Sequence, residues 1–191
     1  MTRPRSANGR FLAANSEPAG ATTTTTTTTT PSLELYLLRH ADAGDSSAWT
    51  GADADRPLSK KGRRQAKALA RMLRDLGLRV DAVITSPLLR AVQTAKPVAK
   101  ATGVEVLADE RLGYGFGTPE LSALVAQLGP DMQRVVLVGH DPGFTEVASH
   151  LLGAHLGMAK GALARIDLPD REVKRGAGDL RWLIPPDAVA R

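Results

Sequence analysis

The feature that most constrains this chain is an unbroken apolar run, Val135, Val136, Leu137 and Val138, closed by Gly139 and His140. Apolar character without polar alternation marks a strand covered on both faces, which requires helices above and below a sheet. The flanking patterns supply them. Strands are predicted over 33–38, 81–85, 104–107, 134–138, 162–168 and 179–184. Helices are predicted over 59–76, 86–101, 119–128 and from 142 onward. In the first, Ser59 is placed to cap the N-terminus, Ala66, Leu69, Leu73 and Leu76 share one face, and Gly77 can end it. Ser86-Pro87 reads as a cap followed by a first-turn proline, and Phe144, Val147, Ala148 and Leu151 face inward on the last helix. The last two strands flank the turn-rich stretch 169–178 and suggest a closing hairpin. Alternation of this kind predicts a three-layer α/β/α sandwich with a mostly parallel central sheet.

Ahead of the first strand, residues 1–31 contain a nine-threonine run, Thr22 to Thr30, and almost no apolar periodicity. Such a stretch lacks the burial that offsets the entropy of ordering, so it reads as a disordered tail, with the domain over 32–191. Arg3, Arg5 and Arg10 in that tail supply part of the formal net charge of +5. What remains suits an anionic ligand, and the core shows neither a Lys/Arg block nor an aromatic stacking pattern for nucleic acid. No apolar run approaches the roughly 20 residues needed to span a bilayer. The chain has no cysteine, which excludes disulfides, Cys-based zinc sites and thiolate nucleophiles. A cytoplasmic monomer is expected, with no nucleic-acid or membrane partner.

In open α/β sheets ligands bind beyond the carboxyl ends of the strands. Here the first strand ends in Arg39-His40, the second in Ser86 with Arg90 one helical turn on, and the fourth in Gly139-His140. Two guanidiniums offer forked donors matched to a tetrahedral oxyanion, and two helix N-termini add backbone N–H groups. Such a pocket suits a phosphoryl group. A neutral imidazole within it can attack phosphorus and form a covalent phosphohistidine that water then releases. The arginines and the second histidine stabilise the charge on the equatorial oxygens, so the chemistry needs neither metal nor cofactor.

Three segments carry a family resemblance: LYLLRHADAG (35–44), TSPLLRAVQTA (85–95) and VVLVGHDPGF (135–144). They resemble the signature segments of the histidine phosphatase, or phosphoglycerate-mutase-like, superfamily. ADRPLSKKG (54–62) and the ending GALARIDLP…GDLRWLIPP (161–186) are similar to its short SixA branch of phosphohistidine phosphatases. The resemblance spans about residues 33–186 and implies a phosphoglycerate mutase-like fold. It further implies His40 as nucleophile, with Arg39, Arg90 and His140 completing a metal-free phosphate pocket. Phosphohistidine on a protein is one implied substrate class. In larger members a glutamate between the second and third segments donates a proton, and Glu110, in DERLGYG (109–115), stands in a corresponding place. The SixA branch has no clear counterpart. The N–P bond of phosphohistidine is labile, and solvent can protonate its leaving imidazole.

Other residues have plainer expectations. Arg56 either reaches the pocket rim as a substrate-binding group or pairs with Asp53 or Asp55. Ser86 is chiefly a cap that can also touch phosphate. Asp42 and Asp45 shape a loop, Trp49 and Trp182 pack, and His150 and His155 are surface residues. Asp53-Ala-Asp55 follows a loop rather than a strand, which disfavours it as an aspartyl nucleophile. Two further functions remain open at this point: a small-molecule phosphomonoesterase of the same superfamily, and a non-catalytic module that binds phosphate.

Overall fold

The computed structural model describes residues 32–189; the threonine-rich segment lies outside the described residues. Strands β1 (Leu33–Arg39), β2 (Ala82–Thr85), β3 (Val106–Ala108), β4 (Arg134–Gly139), β5 (Leu163–Leu168) and β6 (Asp179–Ile184) form one sheet. The order is β3-β2-β4-β1-β5-β6. The first four strands pair in parallel, while β5 runs antiparallel to both β1 and β6. Helices α1 (Lys60–Asp75), α2 (Leu89–Thr102), α3 (Thr118–Gln127), α4 (Gly143–Leu152) and the short α5 (Pro186–Val189) complete the fold.

Residue parity along the strands creates two cores. Leu35 and Leu37 of β1, with Val135 and Leu137 of β4, pack against Leu121 and Leu124 of α3 and Phe144, Val147 and Leu151 of α4. The alternate residues, Tyr36, Leu38, Val136 and Val138, meet Leu69 and Leu73 of α1 and Ala91, Ala95 and Val98 of α2. Apolar side chains on both faces of β4 therefore enforce the three-layer α/β/α sandwich read from its sequence. At roughly 1.5–3 kcal/mol for each fully buried Leu or Val, these two layers dominate the driving force.

Several boundaries move for physical reasons. Ser59 caps α1 as expected, its Oγ accepting from Gly62 N–H at 3.0 Å. Leu76, expected inward, lies past the helix end and is 69% exposed. Ser86 is not the cap of α2: its N–H extends the parallel ladder to Val138 O at 2.9 Å, and the helix starts only at Leu89. Val104 lies in the turn that caps α2, donating to Ala99 O at 3.1 Å, so the third strand starts at Val106. Trp182 packs on Tyr36 at a centroid distance of 5.7 Å, whereas Trp49 is a partly exposed loop residue donating to Ala52 O.

The loop after β1 is clamped between helices. Ala41 N–H donates to Thr94 Oγ1 of α2 at 3.1 Å, and Asp42 N–H to Gln65 Oε1 of α1 at 3.0 Å. Gly62 lies so close that a Cβ there would sit 1.9 Å from Asp42 O, and only glycine allows that approach. Gly62→Ala is therefore expected to lower unfolding free energy by about 1–3 kcal/mol, read from urea denaturation midpoints, because helix and loop must separate.

Candidate active site

The strand order explains why three distant segments meet. β4 inserts between β1 and β2 in parallel, with Arg39 level with Gly139 and Thr85 level with Val138. The residues that follow each strand therefore emerge at one edge. His40 N–H donates to Gly139 O at 2.9 Å, fixing the first histidine beside the strand that carries the second. The two imidazoles lie 5.0 Å apart, centroid to centroid. A cavity of about 330 Å³ opens above them, lined by Arg39, His40, Arg56, Arg90 and His140, and further out by Tyr114 and Lys160.

His40 Nδ1 lies 2.8 Å from Ala41 O. A carbonyl can only accept, so Nδ1 carries the hydrogen and Nε2 is left with a free lone pair. His140 Nε2 sits 2.8 Å from Ser86 Oγ, which also accepts from Leu88 N–H at 3.3 Å. A hydroxyl can donate to Nε2 or accept from it; with the Ser86 hydrogen on Nε2, the imidazole hydrogen stands on Nδ1. Arg39 Nη1 pairs with Asp141 Oδ2 at 2.8 Å and donates to Met158 O at 2.6 Å. Arg90 is 4% exposed; Nη1 donates to Asp53 O at 2.7 Å and Nη2 to Asp53 Oδ2 at 3.0 Å. Among the described residues, the buried side-chain nitrogens left without a hydrogen-bond partner are Arg39 Nε, Arg90 Nε and His140 Nδ1.

Comparison with known proteins agrees with this geometry. The family pattern of the histidine phosphatase superfamily (branch 1) matches residues 35–117. An uncharacterized protein of Picosynechococcus sp. is 37% identical over 141 residues, covering 69% of this chain and 82% of that protein. The chain belongs to the histidine phosphatase superfamily. Two solved structures of the SixA type are similar to it. A Nakamurella multipartitia protein assigned as the phosphohistidine phosphatase SixA is 28% identical, with TM-score 0.66, covering 83% of this chain and 98% of that one. The protein histidine phosphatase SixA complexed with tungstate shares the fold at 23% identity and TM-score 0.69, covering 81% of this chain and 98% of that one.

Of the residues singled out in the sequence, the fold brings Arg39, His40, Arg56, Arg90 and His140 to one cavity, with Ser86 directly behind His140. Arg56 meets both of its expectations: it lines the cavity and pairs with Asp53 Oδ1 at 2.9 Å. Glu110 is not brought there. It sits exposed on a 3-10 turn (Glu110–Leu112) and is absent from the cavity lining, where Tyr114 stands instead. Among the described residues no three His, Asp or Glu side chains are grouped to hold a metal ion. No helix there is long and apolar enough to cross a membrane.

Sequence reasoning foresees Asp53 as a partner of Arg56 but misses it as the partner of Arg90, and misses Asp141 as the partner of Arg39. Asp53 accepts from Arg56, Arg90 and the Tyr114 hydroxyl, which together hold its carboxyl down to about 2, the Tyr114 hydrogen bond contributing most. Asp141, next to His140, does the same service for Arg39. Adjacency to a site histidine could have flagged Asp141. Asp53 lies thirty-seven positions from Arg90 and carries no such signal.

Burial lowers His40 to about 4, with nearby Arg90, Arg39 and Arg56 pushing the same way against the Ala41 hydrogen bond. Burial likewise lowers His140 to about 3, helped by His40 and Arg90. Both rings are therefore neutral at pH 7. Linkage fixes the sign: between the ordinary value of 6.5 and about pH 4 the unfolded chain binds protons that the native chain refuses. Stability is full above pH 6.5 and declines as pH falls through that window, with His140 extending the loss toward pH 3. Urea midpoints measured from pH 7 to pH 4.5 should fall steadily, and His140→Gln should flatten that slope.

Proposed function

We propose that this protein hydrolyses phosphohistidine on proteins, with His40 as the nucleophile and a covalent phosphohistidine as intermediate. One observation supports it above the others: the three unpartnered buried nitrogens all belong to residues lining the His40 cavity. Each unpaired buried donor costs roughly 1–3 kcal/mol, more where it is charged. A tetrahedral phosphoryl group presents acceptors to several such donors at once, and two guanidiniums match its charge. Tungstate, bound by the SixA relative, is an oxyanion of that shape.

The chemistry follows from the tautomer. His40 Nε2 attacks phosphorus while the N–P bond of the substrate breaks on the opposite side. The departing imidazole takes a proton from solvent, which the open cavity admits. Arg39, Arg90 and His140 hold the equatorial oxygens as their charge rises. Water then attacks phosphorus, phosphate leaves, and His40 regains its lone pair. Because the ring is neutral and pre-aimed, no general base has to activate it, and the nucleophile itself does the work that a metal-bound hydroxide does elsewhere.

Rapid quench with labelled phosphohistidine protein should leave acid-labile, base-stable phosphate on the chain, and His40→Asn should abolish both label and turnover, by at least about 10³-fold. Absence of label with full turnover would reject the covalent route. Arg90→Lys, which removes the fork while keeping the charge, should lower turnover by about 10²-fold. Glu110→Gln should leave turnover of phosphohistidine within about twofold, since the carboxyl lies outside the cavity. A chelator should change nothing. Efficient hydrolysis of alkyl phosphomonoesters with no turnover of phosphohistidine would instead assign the site to small molecules.

A further inference from the structure

Helices α1 and α2 lie side by side over one face of the sheet, and their outer surface carries charge of one sign. Together they hold ten lysines and arginines against one acid, Asp75, which is already paired with Arg74 at 3.1 Å. Arg90 is buried at the phosphate cavity and Arg63 turns back to Leu58 O. The other eight are exposed. Nine net positive charges on two helices exceed the +5 of the whole chain, so the remainder is net acidic. Lys67 and Arg71, like Lys96 and Lys100, stand four residues apart as like charges, with no ion pair to any described residue. Such spacing destabilises a helix on its own account. Solubility alone would be served by charges spread over the surface, not gathered on one face.

The shape of this face is also specific. Two clefts of about 610 Å³ each flank α1, larger than the cavity over His40: one lies between α1 and α2, the other between α1 and α5, where Asp187 adds one acid to the basic lining. They share Lys67 and Arg71 and so continue into one another along α1. Ala70, Pro97 and Ala101 supply apolar surface in one of them, between Lys67 and Arg71 of α1 and Lys96 and Lys100 of α2. The other reaches Gln65, whose Oε1 accepts from Asp42 N–H two residues beyond His40.

We propose that the α1–α2 face docks an acidic amphipathic helix of the phosphoprotein substrate, its apolar stripe on the alanine–proline surface and its carboxylates on the flanking lysines and arginines. The sixteen residues of α1 span about 24 Å, room for several turns of a partner helix. A bilayer is flat and needs protruding apolar groups, whereas the apolar surface here is recessed between cations. Single-stranded nucleic acid needs stacking platforms, and neither helix carries an aromatic residue. The inference takes from the proposed function that the substrate is a protein; the docking readout itself uses no catalysis.

The test measures binding of four probes to the full chain by fluorescence anisotropy. They are a labelled helical peptide with one glutamate face and one Leu–Ala face, a scrambled peptide of equal composition, a short DNA duplex, and phosphatidylcholine–phosphatidylserine vesicles. The amphipathic peptide should bind at least about tenfold tighter than the scrambled one, and more weakly as salt rises. The charge-reversed chain Lys67→Glu/Arg71→Glu/Lys96→Glu/Lys100→Glu should lose at least about tenfold in that affinity. It should keep its turnover of phosphohistidine as the free amino acid, while KM for an acidic phosphohistidine protein rises. If charge reversal prevents folding, the same positions changed to Gln are read instead, with the same direction required. Tighter binding of DNA or vesicles, equal binding of the scrambled peptide, or unchanged peptide affinity in the variant would each overturn the docking surface. Loss of the proposed function looks different: the unmodified chain would turn over neither phosphohistidine substrate, whatever the peptide does.

Discussion

Two imidazoles 5.0 Å apart, beside the buried guanidinium of Arg90 and the half-buried one of Arg39, are held best as uncharged rings. Much of the site's architecture answers that constraint. Burial keeps His40 and His140 neutral, and the positive arginines reinforce it. The arginines in turn need counter-charges, which Asp53 and Asp141 provide from outside the cavity lip and from its wall. Removing Asp53 would leave the buried guanidinium of Arg90 without its carboxylate, an arrangement far costlier than an exposed charge. The cavity is thus organised around a charge balance that still leaves particular N–H groups unsatisfied.

That balance is reached through topology. Inserting β4 between β1 and β2 sets Gly139 beside Arg39, and the two histidines follow as immediate neighbours. Gly139 is itself a packing requirement, because a Cβ there would come within 2.4 Å of the Phe144 ring. The same phenylalanine anchors α4 in the core. One residue therefore sets both the position of α4 and the direction in which His140 leaves the sheet.

Much of this was legible in the sequence because it depends on local pattern. The VVLV run, the inward faces of α1 (apart from Leu76) and α4, and the three strand-end motifs are set by residues close in sequence, and the structure keeps them. Ser86 reads in the sequence chiefly as a cap that can also touch phosphate; the capping part fails because its N–H extends the ladder to Val138, while its hydroxyl turns to His140, fifty-four positions away. Asp53 looked like a loop acid because its partners, Arg90 and Tyr114, approach only after the loop folds over α2. Glu110 was placed by its position between motifs, which fixes order along the chain but not the direction in which a turn points its side chain.

The hydrogen bond that orients His40 goes to the carbonyl of its own neighbour, Ala41, and that residue is held by Thr94 while Asp42 is held against Gln65 and Gly62. The aim of the His40 ring is thus set from within α2, through Thr94, and from the first two turns of α1. Helix ends loosen before a domain melts. On warming, loosening of the start of α1 should cost the His40 ring part of its bearing while the sheet is still intact, so that the proposed activity should fade below the temperature at which the fold melts.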